Sequence, residues 1–248
     1  MIRNTFLALL FVSMAFAQGK VEKFIVEGKE QLKAASNSYE DEAFIKARSL
    51  FERLLMQEQK LDLIHYYIGF ADYRLATKYF ESHNEKAEQY LDDGIAHLEK
   101  AIQLNNELAD AQALVSSLYG QKIGLDPALA MTLGPQAWIA MGNAKKSSPG
   151  NPRVLMLQAI STYYSPEQYG GSKTKGAEEM GKAIAAFRGE KLEDPLLPDW
   201  GFEDALMMMA NWQLEHGQKD EAKKLVTETL EINPDFGWAK SMQNSLGM

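Results

Sequence analysis

A short pattern of side-chain sizes recurs five times along the chain: a small residue, a bulky apolar one four positions later, and an apolar or small one three after that. It reads Ala47-Phe51-Leu54, Gly94-Leu98-Ala101, Ala137-Met141-Ala144, Ala177-Gly181-Ile184 and Ala222-Val226-Thr229. The fourth copy is weak, because Gly181 stands where a large residue is expected. First positions are separated by 47, 43, 40 and 45 residues. Residues at i, i+4 and i+7 share one helix face, so each copy marks a helix with a close-packing stripe. A helical pattern that returns at this interval describes a stacked array of helix pairs. Such arrays bind partners more often than they catalyse.

The rest of the chain agrees. Segments rich in Ala, Leu, Glu, Lys, Gln and Met dominate, and alternating β-branched runs are missing, which predicts an all-α fold. The first seventeen residues read differently. Arg3 and the terminal amine precede an apolar run from Phe6 to Phe16 broken only by Ser13, and Ala15-Phe16-Ala17 is a small-x-small cleavage site. The expectation is an export signal over residues 1–17, cut after Ala17 to leave Gln18. The run falls well short of the ~20 residues a membrane span needs, and no second stretch approaches that length.

Cysteine is absent, which removes disulfides, thiolate metal sites and thiol catalysis. It also removes the lipid-bearing cysteine of a bacterial lipoprotein. The product is expected to be periplasmic or secreted, free of the membrane and held together by its packed core. The remaining 231 residues (248 less 17) carry 25 basic and 34 acidic side chains, a net charge of −9. That balance repels nucleic-acid backbones and anionic lipid surfaces.

The last unit is the clearest. From Glu203 to Phe236 it carries Leu206, Met209, Ala210 and Gln213, the turn Gly217 to Ala222, then Val226, Thr229 and a closing Pro234. Gly217 suits the left-handed end of one helix, Ala222 lets the second approach closely, and Pro234 cannot continue it. This spacing resembles the 34-residue tetratricopeptide repeat (TPR), and the chain looks like a divergent exported bacterial member of that family. The longer interval elsewhere also matches HEAT and armadillo arrays.

The same register, extended backward, gives helices over 21–35 and 41–57 for the first pair. The second pair carries a polar insert near Thr77 to Gln89, ahead of a helix ending at Asn105-Asn106. The third opens near Glu107, continues to Tyr119, and is interrupted at Gly124, Asp126-Pro127 and Gly134-Pro135 before a helix ending at Pro149-Gly150-Asn151-Pro152. The fourth runs over 153–164 and 173–187, and a connection with Pro195 and Pro198 leads into Trp200. Residues 238–246 form a short closing helix. The fold expected for residues 18–248 is an α-α superhelix (solenoid) of about five TPR-like helix pairs with a C-terminal cap.

Chemistry-bearing constellations are sparse. Gly170-Gly171-Ser172-Lys173-Thr174-Lys175-Gly176 lacks the spacing and the preceding strand of a phosphate loop; it reads as an inter-helix turn with Ser172 as helix cap. His65, His83, His97 and His216 fall in scattered positions without a metal-ligand spacing, and Asp93 with His97 reads as a routine helix pair. Carboxylates such as Glu40-Asp41-Glu42 and Glu178-Glu179 sit at helix starts, where they offset the dipole. No acid–base pair or nucleophile elbow emerges, so no enzyme activity and no cofactor are expected.

The TPR resemblance implies that the first helix of each pair lines a concave groove. Tyr66, Phe70 and Tyr73 would face it from the second unit, Gln112, Ser116 and Tyr119 from the third. Arg153, Met156 and Tyr163 would follow from the fourth, Met207 and Asn211 from the last. At helical spacing the same residues read equally well as core. In the groove they suit an extended protein or peptide partner, with Arg153 and Asn211 fixing its orientation, or a small apolar ligand.

Overall fold

In the computed structural model, residues 2–80 and 85–248 are described, with side chains from Gly19 onward. Among these residues there are eleven α-helices and no strand. They are α1 (Ile2–Ser38), α2 (Asp41–Leu54), α3 (Leu61–Phe80), α4 (Glu85–Leu104), α5 (Ala109–Leu125), α6 (Ala130–Ser147), α7 (Pro152–Tyr164), α8 (Lys173–Gly189), α9 (Phe202–Glu215), α10 (Lys219–Ile232) and α11 (Gly237–Leu246). Sequence neighbours pack as antiparallel pairs, α1 with α2 through α9 with α10, and α11 closes the stack on α10. The architecture is an α-α solenoid. The signal segment expected over residues 1–17 falls on Met1, outside the described residues, and on 2–17, whose side chains are likewise undescribed. Among the described residues no helix is long and apolar enough to cross a membrane.

The recurring size pattern marks the contact between paired helices. Ala47, Phe51 and Leu54 are buried, as are Leu98, Ala101, Met141, Ala144, Ala222, Val226 and Thr229. The smallest member allows the closest approach. A Cβ added at Gly94 would meet Leu118 at 2.9 Å and Asp72 at 3.1 Å, and one added at Gly69, across the same seam, would meet Leu98 at 2.6 Å. Gly181, in the weak fourth copy, lies exposed, and Met180 and Ala183 fill the interior in its place.

The polar insert expected at 77–89 is helical up to Phe80 in α3 and again from Glu85 in α4, and residues 81–84 lie outside the described part. The extended end of α3 is held: Lys78 and Tyr79 both bond Asp41, Tyr79 stacks on Tyr90 at 6.2 Å, and Phe80 packs against Gly124. Gly134-Pro135 lies inside α6. Proline removes one helical hydrogen bond, from the carbonyl four residues back. Here both Pro135 and Met131 are exposed, so the interruption falls on the solvent side of the helix, which continues through it.

The stack also bends round on itself. Asn233, after α10, donates to the side chain of Asn37 at the end of α1 at 2.9 Å, and to Glu203 at 3.0 Å. A Cβ at Gly237 would meet the Asn37 carbonyl oxygen at 2.5 Å. First and last helices thus touch.

Candidate functional site: a filled concavity and an exposed helix face

The connection between α8 and α9, residues 190–201, has no helix of its own and lies across the inner helices. Lys29 on α1 donates to the carbonyls of Pro195 and Leu197, both at 2.6 Å, and pairs with Asp199 at 3.4 Å. Tyr67 on α3 donates to the Leu196 carbonyl at 2.6 Å. Trp200 stacks on Phe70 with ring centroids 4.5 Å apart and donates its indole N–H to the Tyr66 hydroxyl at 2.8 Å. Arg153 on α7 donates to the Trp200 carbonyl at 3.1 Å and to Asp110 at 2.8 Å, pairs with Glu190, and lies over the Phe187 ring at 5.7 Å. A non-helical stretch of the chain, turning at Asp194–Leu197, therefore sits where a partner peptide was expected, held mainly through its backbone carbonyls.

The residues expected to line a groove are accordingly internal. Tyr66 and Phe70 contact Trp200, as does Tyr73, 6.2 Å away, whose hydroxyl burial pushes up to about 12. Gln112 donates to the Asn106 carbonyl, and Ser116 donates to that of Ala137 on α6 at 2.8 Å. Tyr119 bonds Glu99 on α4. Met156 and Met207 are buried, Met207 in a C-terminal cluster with Phe236 and Met242. Tyr163 stacks face to face on Trp212 at 3.9 Å and donates to Glu215 at 2.7 Å. Asn211 is half-buried and bonds Glu215 at 3.3 Å.

A cavity of about 60 Å³ lies between Lys29, Tyr67, Phe70, Trp200, Asn233 and Phe236. That holds a few waters, far below the ~300 Å³ of a ligand pocket. At the rim, an open depression of about 420 Å³ is bordered by Asn151, Arg153, Glu190, Leu192, Leu197 and Pro198.

The sequence reading places a helix here through Ala137-Met141-Ala144 but not the exposed apolar face of α6. Its buried side is narrow, with only Met141 and Ala144 fully enclosed. The opposite side presents Met131, Pro135, Trp138 and Ile139 to solvent, with Met131 86% and Trp138 79% exposed. Residues 131, 138 and 145 lie seven apart on one line of the helix and 135 and 142 on the next, so the apolar stripe ends at the exposed Lys145 and Lys146. The signal was in the sequence: α6 is apolar on both sides, where α4 and α10 have a charged outer face.

The histidines are less scattered than expected. His65 on α3 and His97 on α4 bring their Nδ1 atoms to 2.9 Å. Asp93, read as the partner of His97, turns toward Arg48 at 3.6 Å. Burial lowers both imidazoles, His97 to about 4. Among the described residues no cluster of three or more His, Cys, Asp or Glu converges.

No protein-family model matches the chain, and no curated protein does. Among solved structures, the HusA haemophore from Porphyromonas gingivalis is similar at a TM-score of 0.61 and 21% identity, over 79% of this chain and 92% of that one. The assembly chaperone of RpL4 (Acl4) matches at a TM-score of 0.39 and 12% identity, over 88% of this chain and 97% of that one. The likeness to the haemophore supports the helical-repeat fold.

Proposed function

We propose that the chain is an exported, non-catalytic TPR-like scaffold that docks a protein partner through the exposed face of α6. The observation that carries this reading is the stripe of Met131, Pro135, Trp138 and Ile139 left open on a helix whose outer counterparts are charged. Exposed Trp and Met are costly to leave in water and are typical anchors of protein interfaces. Lys145 and Lys146 at the end of the stripe favour a partner with acidic residues beside its apolar contact. Export rests on the layout of residues 1–17. N-terminal sequencing of protein recovered from outside the cytoplasm is expected to begin at Gln18.

The test is a photo-crosslinker at position 138 in the native compartment, paired with Trp138→Ala and Met131→Ala. Crosslinks to one protein, with at least tenfold weaker capture by the variants and unchanged melting, support the reading. Variants that keep every partner overturn it.

Peptide recognition in the concavity by Tyr66, Phe70, Tyr73 and Arg153 is a second proposal. It is favoured by the non-helical 190–201 segment already lying there, held by its backbone carbonyls, and it requires that segment to leave. The neighbouring haemophore, by its name a haem carrier, makes haem the first small ligand to try. Haemin binding that is lost with Trp138→Ala would move the proposal from a protein to an apolar solute.

A further inference from the structure

The outward side of α6 carries a coiled-coil spacing. Met131, Pro135, Trp138, Gly142 and Lys145 follow one another in steps of four, three, four and three residues, and all five are exposed. This is the 3.5-residue period of a seam that one helix presents to another laid along it. The seam alternates in height. Met131 and Trp138 stand out from the helix, whereas Pro135 and Gly142 are low, and a Cβ added at Gly142 would meet nothing within 4 Å.

We propose that the partner docked on α6 is a second copy of this chain, paired seam to seam in antiparallel orientation. The inference rests on α6 being a docking face and names its occupant. Antiparallel seams match when Met131 of each copy lies over Gly142 of the other and Trp138 lies against Pro135. Each bulky side chain then meets a low position, the interdigitation that lets two helices approach closely.

Charge favours the same arrangement. α6 contains no Asp or Glu, whereas α2, α4, α8 and α10 each contain at least two. Two acidic chains therefore meet at α6 without setting carboxylates of that helix against each other. In a parallel pair, Lys145 and Lys146 would stand beside their own copies. In the antiparallel pair they lie about 25 Å from them, some three Debye lengths. There they reach residues 127–128 of the other chain, next to its exposed Asp126. Asp126 caps the Ala128 N–H at 3.0 Å, which holds its carboxylate at that end of the seam.

A seam of about four turns is a small interface, so a reversible dimer with a micromolar dissociation constant is expected.

The test is sedimentation velocity of the purified chain, as the cell processes it, across about 2–200 μM. A cysteine-pairing assay reads the register, and the absence of native cysteine keeps it free of background. Expected is a monomer that gives way to a dimer as concentration rises. Trp138→Ala and Lys146→Glu should each weaken the dimer at least tenfold with unchanged melting. Oxidising a mixture of Met131→Cys and Gly142→Cys chains should yield a disulfide-linked dimer, and neither variant alone should. A dimer indifferent to Trp138→Ala, or Met131→Cys linking to itself in preference to the mixture, would overturn the antiparallel pair. A chain that stays monomeric while a crosslinker at position 138 captures a different protein overturns self-pairing alone and leaves α6 a docking face. A monomer that captures nothing there overturns both.

Discussion

The indole of Trp200 donates to the hydroxyl of Tyr66 across 134 residues of sequence, at 2.8 Å, while its ring covers Phe70 at 4.5 Å. That one side chain joins the connection before α9 to the middle of α3. A solenoid made only of neighbour contacts would lack such a tie.

Trp200→Ala should cost about 3 kcal/mol, since it removes a large aromatic surface and leaves the Tyr66 hydroxyl without its donor. Trp200→Phe keeps the stack and loses the hydrogen bond, for about 1 kcal/mol. Urea unfolding followed by circular dichroism separates the two. Equal losses would show that the stacking carries little.

Arg153 is enclosed and carries Asp110, Glu190 and the Trp200 carbonyl. Arg153→Met strands two carboxylates and should destabilise by about 3–5 kcal/mol. Arg153→Lys should recover less than half of this, because an ammonium cannot span all three acceptors. Denaturant midpoints measure both.

Buried Asp72 and half-buried His97 set opposing pH slopes. Burial raises the Asp72 carboxyl to about 7 despite Arg48, so the folded chain holds a proton that the unfolded chain has released between about pH 4 and 7. This contribution is fully present below the unfolded value and is lost as pH rises through that window. His97 is depressed to about 4, so its contribution runs the other way and is lost as pH falls from about 6.5 to 4. Melting temperature against pH should rise more steeply between 4 and 6.5 in Asp72→Asn, and lose its rise in His97→Gln. Unchanged profiles would mean that neither group titrates abnormally.

Gly171 sits where the turn after α7 folds back, and a Cβ there would meet the Ser165 carbonyl oxygen at 1.8 Å. The neighbour is backbone and cannot yield. Gly171→Ala should cost about 3 kcal/mol, at the upper end of overpacking effects. Gly181→Ala, with open space around it, should be neutral or slightly stabilising. Thermal melts of the pair test the contrast.

The helix pairs were legible wherever local chemistry decides them. In the last unit, Gly217 takes a φ of 74° and Ala222 is fully buried, as the turn residues imply. The fourth pair starts at the Asn151 and Ser172 caps, whose side chains accept from the helix N–H groups. The continuation of α6 through Pro135 was not legible, because it depends on which face meets water. Nor was the fate of the inner residues. Tyr66 or Arg153 reads identically as groove or core until a distant segment is placed against it, and Lys29 and Leu197 are 168 residues apart. Likewise His65 and His97 lie 32 residues apart, outside any local ligand spacing.

The contact between Asn37 and Asn233 has a mechanical consequence. An open superhelix behaves as a spring whose terminal turns fray first and whose pitch adapts to a guest. Here the two ends restrain each other and the 190–201 segment braces the bore, so pitch cannot vary without breaking Lys29, Trp200 and Asn233 contacts together. Such a body should unfold in one cooperative step rather than turn by turn from its ends, and should meet its partners as a stiff object with a fixed outline.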